Sequence, residues 1–138
     1  MDAVTPPVTV ARHGGGHGNV GVIAIDFAPV NALSKAVRQG LLDAVRALEA
    51  DPDVAALVIS GGPGRFIAGA DIREMSQPPD APFLPDVVAA IDACAKPVVA
   101  AIAGAALGGG CEIALACDLR LGGPQALGGP TGTRLGPI

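Results

Sequence analysis

The sequence predicts an α/β fold built on parallel strands. Two observations carry that reading. Short aliphatic runs rich in β-branched residues alternate with longer stretches whose apolar positions recur every three or four residues. The resulting order of strand, helix, strand, helix, strand, helix implies right-handed crossovers between neighbouring strands. A chain of 138 residues fits one domain that buries about two-thirds of its surface on folding. Its residues are 50% hydrophobic, yet only three are aromatic, all Phe, so the core must be aliphatic and closely packed around glycines.

Val20 to Asp26 is the first predicted strand, and residues 1–17 before it are expected to be a flexible segment. Pro29-Val30-Asn31-Ala32-Leu33 is a connector. Ser34 then caps a helix from about Lys35 to Glu49, in which Val37, Leu41, Leu42, Val45 and Leu48 share one face. Asp51-Pro52-Asp53 ends it, because proline cannot continue the hydrogen-bond ladder. Ala55 to Ser60 is wholly apolar, as expected of a strand covered on both sheet faces. Gly61-Gly62-Pro63-Gly64 reads as a turn rather than a phosphate loop, since no Gly-Lys-Ser/Thr follows.

Asp71 and Glu74 have the spacing of a capping box for a short helix. Gln77 to Pro85 contains four prolines and reads as a mobile surface loop. A helix from about Asp86 to Cys94 precedes a buried strand at Val98-Val99-Ala100-Ala101-Ile102. Leu119-Arg120-Leu121 has the composition of one more strand, and residues 122–138, rich in Gly and Pro, receive no regular element.

The densest signal is Gly108-Gly109-Gly110-Cys111-Glu112, where the Val98 strand is expected to end in glycines and restart as an apolar helix. Such a turn exposes backbone N–H groups, and Glu112, three residues after Gly109, can face the same space. That layout can hold an oxyanion and move a proton. Glu112 as a plain surface acid is the competing reading, but an acid in an apolar helix is costly to bury without a purpose.

Several functions are disfavoured. A net charge of −4 and a pI near 4.9 argue against nucleic acid. Val98 to Cys111 is uncharged and contains Gly104-x-x-x-Gly108, but it is too short to span a bilayer and Glu112 interrupts it. His13 and His17 have metal-like spacing on a glycine loop without a third ligand, so no metal is expected. Cys94, Cys111 and Cys117 form no C-x-x-C pair and suit a reducing compartment, and the N-terminus shows no secretory pattern, so a cytoplasmic location is expected.

The chain resembles the enoyl-CoA hydratase/isomerase, or crotonase, family. The landmarks are Asn31-Ala32-Leu33, Phe66-Ile67-Ala68-Gly69-Ala70-Asp71-Ile72, Lys96-Pro97-Val98, Ala106-Leu107-Gly108-Gly109-Gly110-Cys111-Glu112 and Cys117-Asp118-Leu119-Arg120. They appear in the family's order from about residue 18 to 121, and the wording around Pro29 to Ser34 and Phe66 to Ala70 is most similar to the hydratase part of multifunctional fatty-acid oxidation enzymes.

The resemblance implies a repeated ββα spiral, incomplete at the C-terminus, and trimer-based homo-oligomers. It implies an acyl-CoA thioester as substrate and no cofactor. It makes the N–H groups of Ala68 and Gly109 the oxyanion hole and Glu112 the base that activates water for addition to a 2-enoyl-CoA. It places Gly69, Ala70 and Asp71 on the loop beside the bound thioester. The family's second glutamate, in a Pro-Glu pair, would fall on Thr131-Gly132, and no Asp or Glu follows Asp118. Two classes of function follow: an enoyl-CoA hydratase/isomerase-type enzyme of fatty-acid oxidation whose sequence here is a fragment, or a truncated member that keeps at most a CoA-thioester or partner surface.

Overall fold

The computed structural model describes residues 5–129. Strands β1 (Val8–Gly15) and β2 (Gly18–Ile25) form an antiparallel hairpin, in register from Val8 opposite Ile25 to Gly15 opposite Gly18. Helix α1 (Lys35–Ala50) leads to β3 (Val54–Ser60) and β4 (Ile67–Ala68). A single 3-10 turn (Ile72–Glu74) precedes α2 (Leu84–Asp92). Then come β5 (Val98–Ile102), β6 (Ala105–Leu107), α3 (Gly109–Ala116), β7 (Leu119–Gly122) and β8 (Leu127–Gly129).

Two sheets result. The larger has the order β1-β2-β3-β5-β7, parallel from β2 onward, and the smaller is the parallel set β4-β6-β8. After the β1–β2 hairpin and α1, the chain twice lays one strand in the large sheet and the next in the small one and then returns through a helix, as β3-β4-α2 and β5-β6-α3. This is the ββα repeat the resemblance implied.

Helix α1 forms where the three-four spacing placed it. Ser34 accepts a hydrogen bond from the Val37 N–H at 3.2 Å, satisfying an orphan donor of the first turn. Val37, Leu41, Val45 and Leu48 are almost fully buried, each contributing about 1.5–3 kcal/mol relative to exposure. They pack on the sheet face that carries Ile23, Ile25, Leu57, Ile59 and Ile102, and these residues together form the core.

Four expectations change. Residues 8–15 of the supposedly flexible 1–17 segment are a strand; as an exposed edge, β1 buries too little side chain to show an alternating pattern. Helix α2 starts two residues early, with Pro85 in its first turn and the Asp86 carboxylate accepting from the Phe83 N–H at 2.7 Å. The strand at Val98 does not run into the glycine helix; β6 intervenes. Within the irregular 122–138 segment, Leu127–Gly129 forms β8, while Thr131-Gly132 lies outside the described residues. In addition, β3 buries Leu57 and Ile59 on the helix side but leaves Val58 and Ser60 half-exposed on the other face. Among the described residues, no helix is long and apolar enough to cross a membrane.

Candidate active site

The site grows from the parallel pairing of β4 with β6, which sets Ala68 beside Leu107. Just past that pair, the Gly69 N–H donates to the Leu107 carbonyl at 3.0 Å and the Gly108 N–H to the Gly129 carbonyl at 3.1 Å. Both glycines have positive φ, 84° and 55°, a backbone that side chains resist. A Cβ on Gly108 would stand 3.7 Å from the Gly69 Cα, so the two loops touch. Ala70 and Gly109, the next residues on each loop, both line one cavity of about 580 Å³.

Gly109 opens α3, so its N–H has no carbonyl one turn earlier to bind. The Ala70 N–H likewise meets no backbone acceptor among the described residues. Among the described residues, two donors without a backbone partner thus belong to residues lining one cavity, one of them at the positive end of a helix.

Here the structure corrects the expected donor pair. The Ala68 N–H already donates to the Val30 carbonyl at 3.1 Å, and Ala68 does not line the cavity. The donor that shares the cavity with Gly109 is that of Ala70, two residues on. The sequence shows a strand running into a glycine but not the direction in which each peptide turns.

Apolar side chains close around Gly109, where an added Cβ would stand 2.6 Å from Leu33 Cδ1 and 3.0 Å from Leu84 Cδ2. The charged residues Lys35, Arg38, Asp71, Glu74 and Asp80 also line the cavity; Lys35 and Asp80 pair at 2.7 Å, and Asp71 pairs with Arg73. Asp71 caps the 3-10 turn through the Arg73 N–H at 3.0 Å, and its carboxylate takes both Nε (3.0 Å) and Nη2 (3.1 Å) of that arginine. The guanidinium lies 5.2 Å from the Phe27 ring centroid. The other half of the expected capping box is not made. Glu74 instead accepts from the Lys35 N–H at 2.9 Å, covering the start of α1.

The side-chain hydrogen bonds from Arg73 hold the Asp71 carboxyl below its ordinary value, against the opposing effect of burial. A depressed folded-state value stabilises the fold above the unfolded pKa and is lost as pH falls through the folded one. Asp71→Asn should therefore flatten the acid limb of stability below about pH 4. Urea midpoints measured across that range check it, and an acid limb as steep as that of the parent chain contradicts it.

Glu112 sits in the first turn of α3, exposed, and is not among the cavity-lining residues. The outward side of the same helix carries Leu115, 60% exposed. Cys117 is buried, and burial pushes its thiol up to about 12, which leaves it un-ionised and unreactive at neutral pH. Gly69, expected beside the thioester, supplies the bend before Ala70 and does not itself line the cavity.

One residue that sequence reasoning left in a connector organises all of this. Asn31 is fully buried at φ 58°. Its amide Nδ2 donates to the carbonyls of Phe66 (2.8 Å), Gly61 (3.0 Å) and Ile25 (3.3 Å), and its Oδ1 accepts from the Phe27 N–H at 2.8 Å. It joins the ends of β2 and β3 to the start of β4. Its sequence signals were its place in the landmark Asn31-Ala32-Leu33 and an asparagine, tolerant of positive φ, between a strand and a helix.

Residues 15–138 match the family model described as enoyl-CoA hydratase/isomerase. The chain belongs to this family. The chain is 50% identical to a peroxisomal bifunctional enzyme of Danio rerio over 99 residues, which cover 72% of this chain and 14% of that one. It is 40% identical to a probable enoyl-CoA hydratase of Mycobacterium leprae over 108 residues, covering 74% and 42%. Among solved structures, a putative enoyl-CoA hydratase/isomerase family protein from Hyphomonas neptunium matches with a TM-score of 0.78 and 33% identity, over 91% of this chain and 50% of that one. The ββα repeats are thus those of the crotonase fold. The chain spans less than half the length of these curated relatives.

Proposed function

We propose that this hydratase/isomerase chain binds acyl-CoA thioesters of fatty-acid oxidation and stabilises their enolates. The observation that carries the reading is the pair of N–H groups, of Ala70 and Gly109, that have no backbone acceptor among the described residues and belong to one partly apolar cavity. A thioester carbonyl seated between them gains negative charge as the enolate forms, and each preorganised donor is worth about 3 kcal/mol at that moment. Leu33 and Leu84 would receive the acyl carbons next to the carbonyl. Neither this stabilisation nor the proton transfers call for a cofactor.

Glu112 is the proposed base; its side chain is exposed and outside the cavity lining, and what supports the role is its place three residues into the helix that Gly109 opens. In hydration it takes a proton from water as the C–O bond forms at the β-carbon; a proton delivered to the α-carbon then completes the addition. In a double-bond shift it takes the α-proton and returns it at the γ-carbon, which one carboxylate performs alone. The free thiols of Cys94, Cys111 and Cys117 suit a reducing compartment such as the cytoplasm.

The test is turnover of crotonyl-CoA and of a 3-enoyl-CoA by the purified chain, with Glu112→Gln as control. Removing the proton-transfer group should lower turnover about 10²–10⁴-fold. Equal turnover in the variant would show that Glu112 is not the base.

A further inference from the structure

We propose that Arg38 is a positioning residue that sets the width of the acyl cavity and hence its chain-length selectivity. The inference rests on the acyl-CoA reading above. Arg38, the fourth residue of α1, itself lines the cavity, and its side chain is only 13% exposed. Its guanidinium reaches three stretches that are separate in sequence. Nη1 donates to the Leu33 carbonyl at 2.6 Å and to Glu74 Oε1 at 3.4 Å. Nε donates to the Pro82 carbonyl at 2.7 Å, and Nη2 to the Asp80 carbonyl at 3.1 Å.

Each of those stretches supplies a cavity wall. The first supplies Leu33; the second is followed at once by Met75; the third runs straight into Phe83 and Leu84. Leu33 and Leu84 are the two side chains that close on Gly109. The Leu33 N–H in turn donates to the Gly69 carbonyl at 2.9 Å, directly before the N–H of Ala70. One planar group therefore fixes the gap between the two leucines and, through one hydrogen bond, the loop that carries an oxyanion donor.

Arginine suits this task because its donors form a rigid fork aimed in several directions at once. Lysine, a point charge on a flexible stem, cannot hold three segments in one plane. The neighbouring Lys35–Asp80 pair is exposed and contributes little to holding the segment. It follows that the Pro-rich stretch expected to be a mobile loop is anchored by a part-buried hydrogen bond at Pro82 and an exposed one at Asp80.

A purely structural role would lower stability and nothing else, so the test reads selectivity. Affinities for free CoA, acetyl-CoA and hexanoyl-CoA are measured by calorimetry on the parent chain, Arg38→Lys and Arg38→Met. The ratio of hexanoyl-CoA to acetyl-CoA affinity comes from one preparation, so any unfolded fraction cancels. We expect that ratio to fall at least threefold in both variants, while free CoA affinity changes less than twofold. An unchanged ratio in both would reduce Arg38 to a loop tether and overturn the inference. A full ratio retained by lysine alone would overturn the role of the fork. A parent chain that binds none of the three ligands would overturn the acyl-CoA reading itself, a result distinct from an unchanged ratio.

Discussion

Gly110→Ala is expected to cost about 3 kcal/mol or more of folding stability, although alanine is the better helix former. Gly110 is the second residue of α3 and is buried. A Cβ there would run into the carbonyl oxygen of Ile67 and stand 2.9 Å from the Ile67 Cβ. Neither side can yield cheaply. Ile67 is fully buried and paired with Ala106 in the small sheet, and the helix is held by Ile113 and Ala114, also fully buried. Propensity would return about 1 kcal/mol for Gly to Ala in a helix interior, too little to offset a backbone overlap.

The same substitution one residue earlier separates stability from binding. A Cβ on Gly109 meets only the ends of the Leu33 and Leu84 side chains, which can rotate. Gly109→Ala should therefore fold but fill the cavity at the thioester position. Urea denaturation of the two variants checks the contrast, and a Gly110→Ala midpoint at or above that of the parent chain would refute it.

These glycines show where the sequence was legible and where it was not. Helix α1 could be read because sixteen residues leave room for a repeating apolar face, and Ser34 marks its start. The small sheet could not, because β4 has two residues and β6 and β8 three each, too few for any period to appear. Its existence depends on which peptide groups meet, as between Ala68 and Leu107. For the same reason one donor of the expected pair lies two residues from its expected place, while Gly109 stays: the motif around Ala68, Gly69 and Ala70 places the loop, but only the Val30–Ala68 hydrogen bond reveals that Ala68 is already engaged. Arg38 was equally hidden, since three of its four partners are backbone carbonyls, which carry no residue identity.

Asn31 is the second position where a small change should have a large effect, and two substitutions distinguish its backbone from its side chain. If positive φ were its only contribution, Asn31→Gly would be neutral or stabilising, because glycine adopts φ 58° without strain. We expect instead a loss of about 2–4 kcal/mol. Glycine leaves the Phe27 N–H and the carbonyls of Ile25, Gly61 and Phe66 without their partner in a fully buried site, and each unsatisfied buried group costs about 1–3 kcal/mol unless water enters. Asn31→Asp keeps the shape but turns the donating end into a second acceptor against three carbonyl oxygens, so its loss should exceed that of glycine and reach about 3–5 kcal/mol. The order parent, Gly, Asp in urea midpoint is the expected result. A glycine variant within about 0.5 kcal/mol of the parent would mean that the three strand ends hold together without this side chain. Because the Phe66 carbonyl lies one residue before β4, loss of the network should also loosen the loop bearing Ala70, so a folded Asn31→Gly chain should bind acyl-CoA more weakly than its stability alone would require.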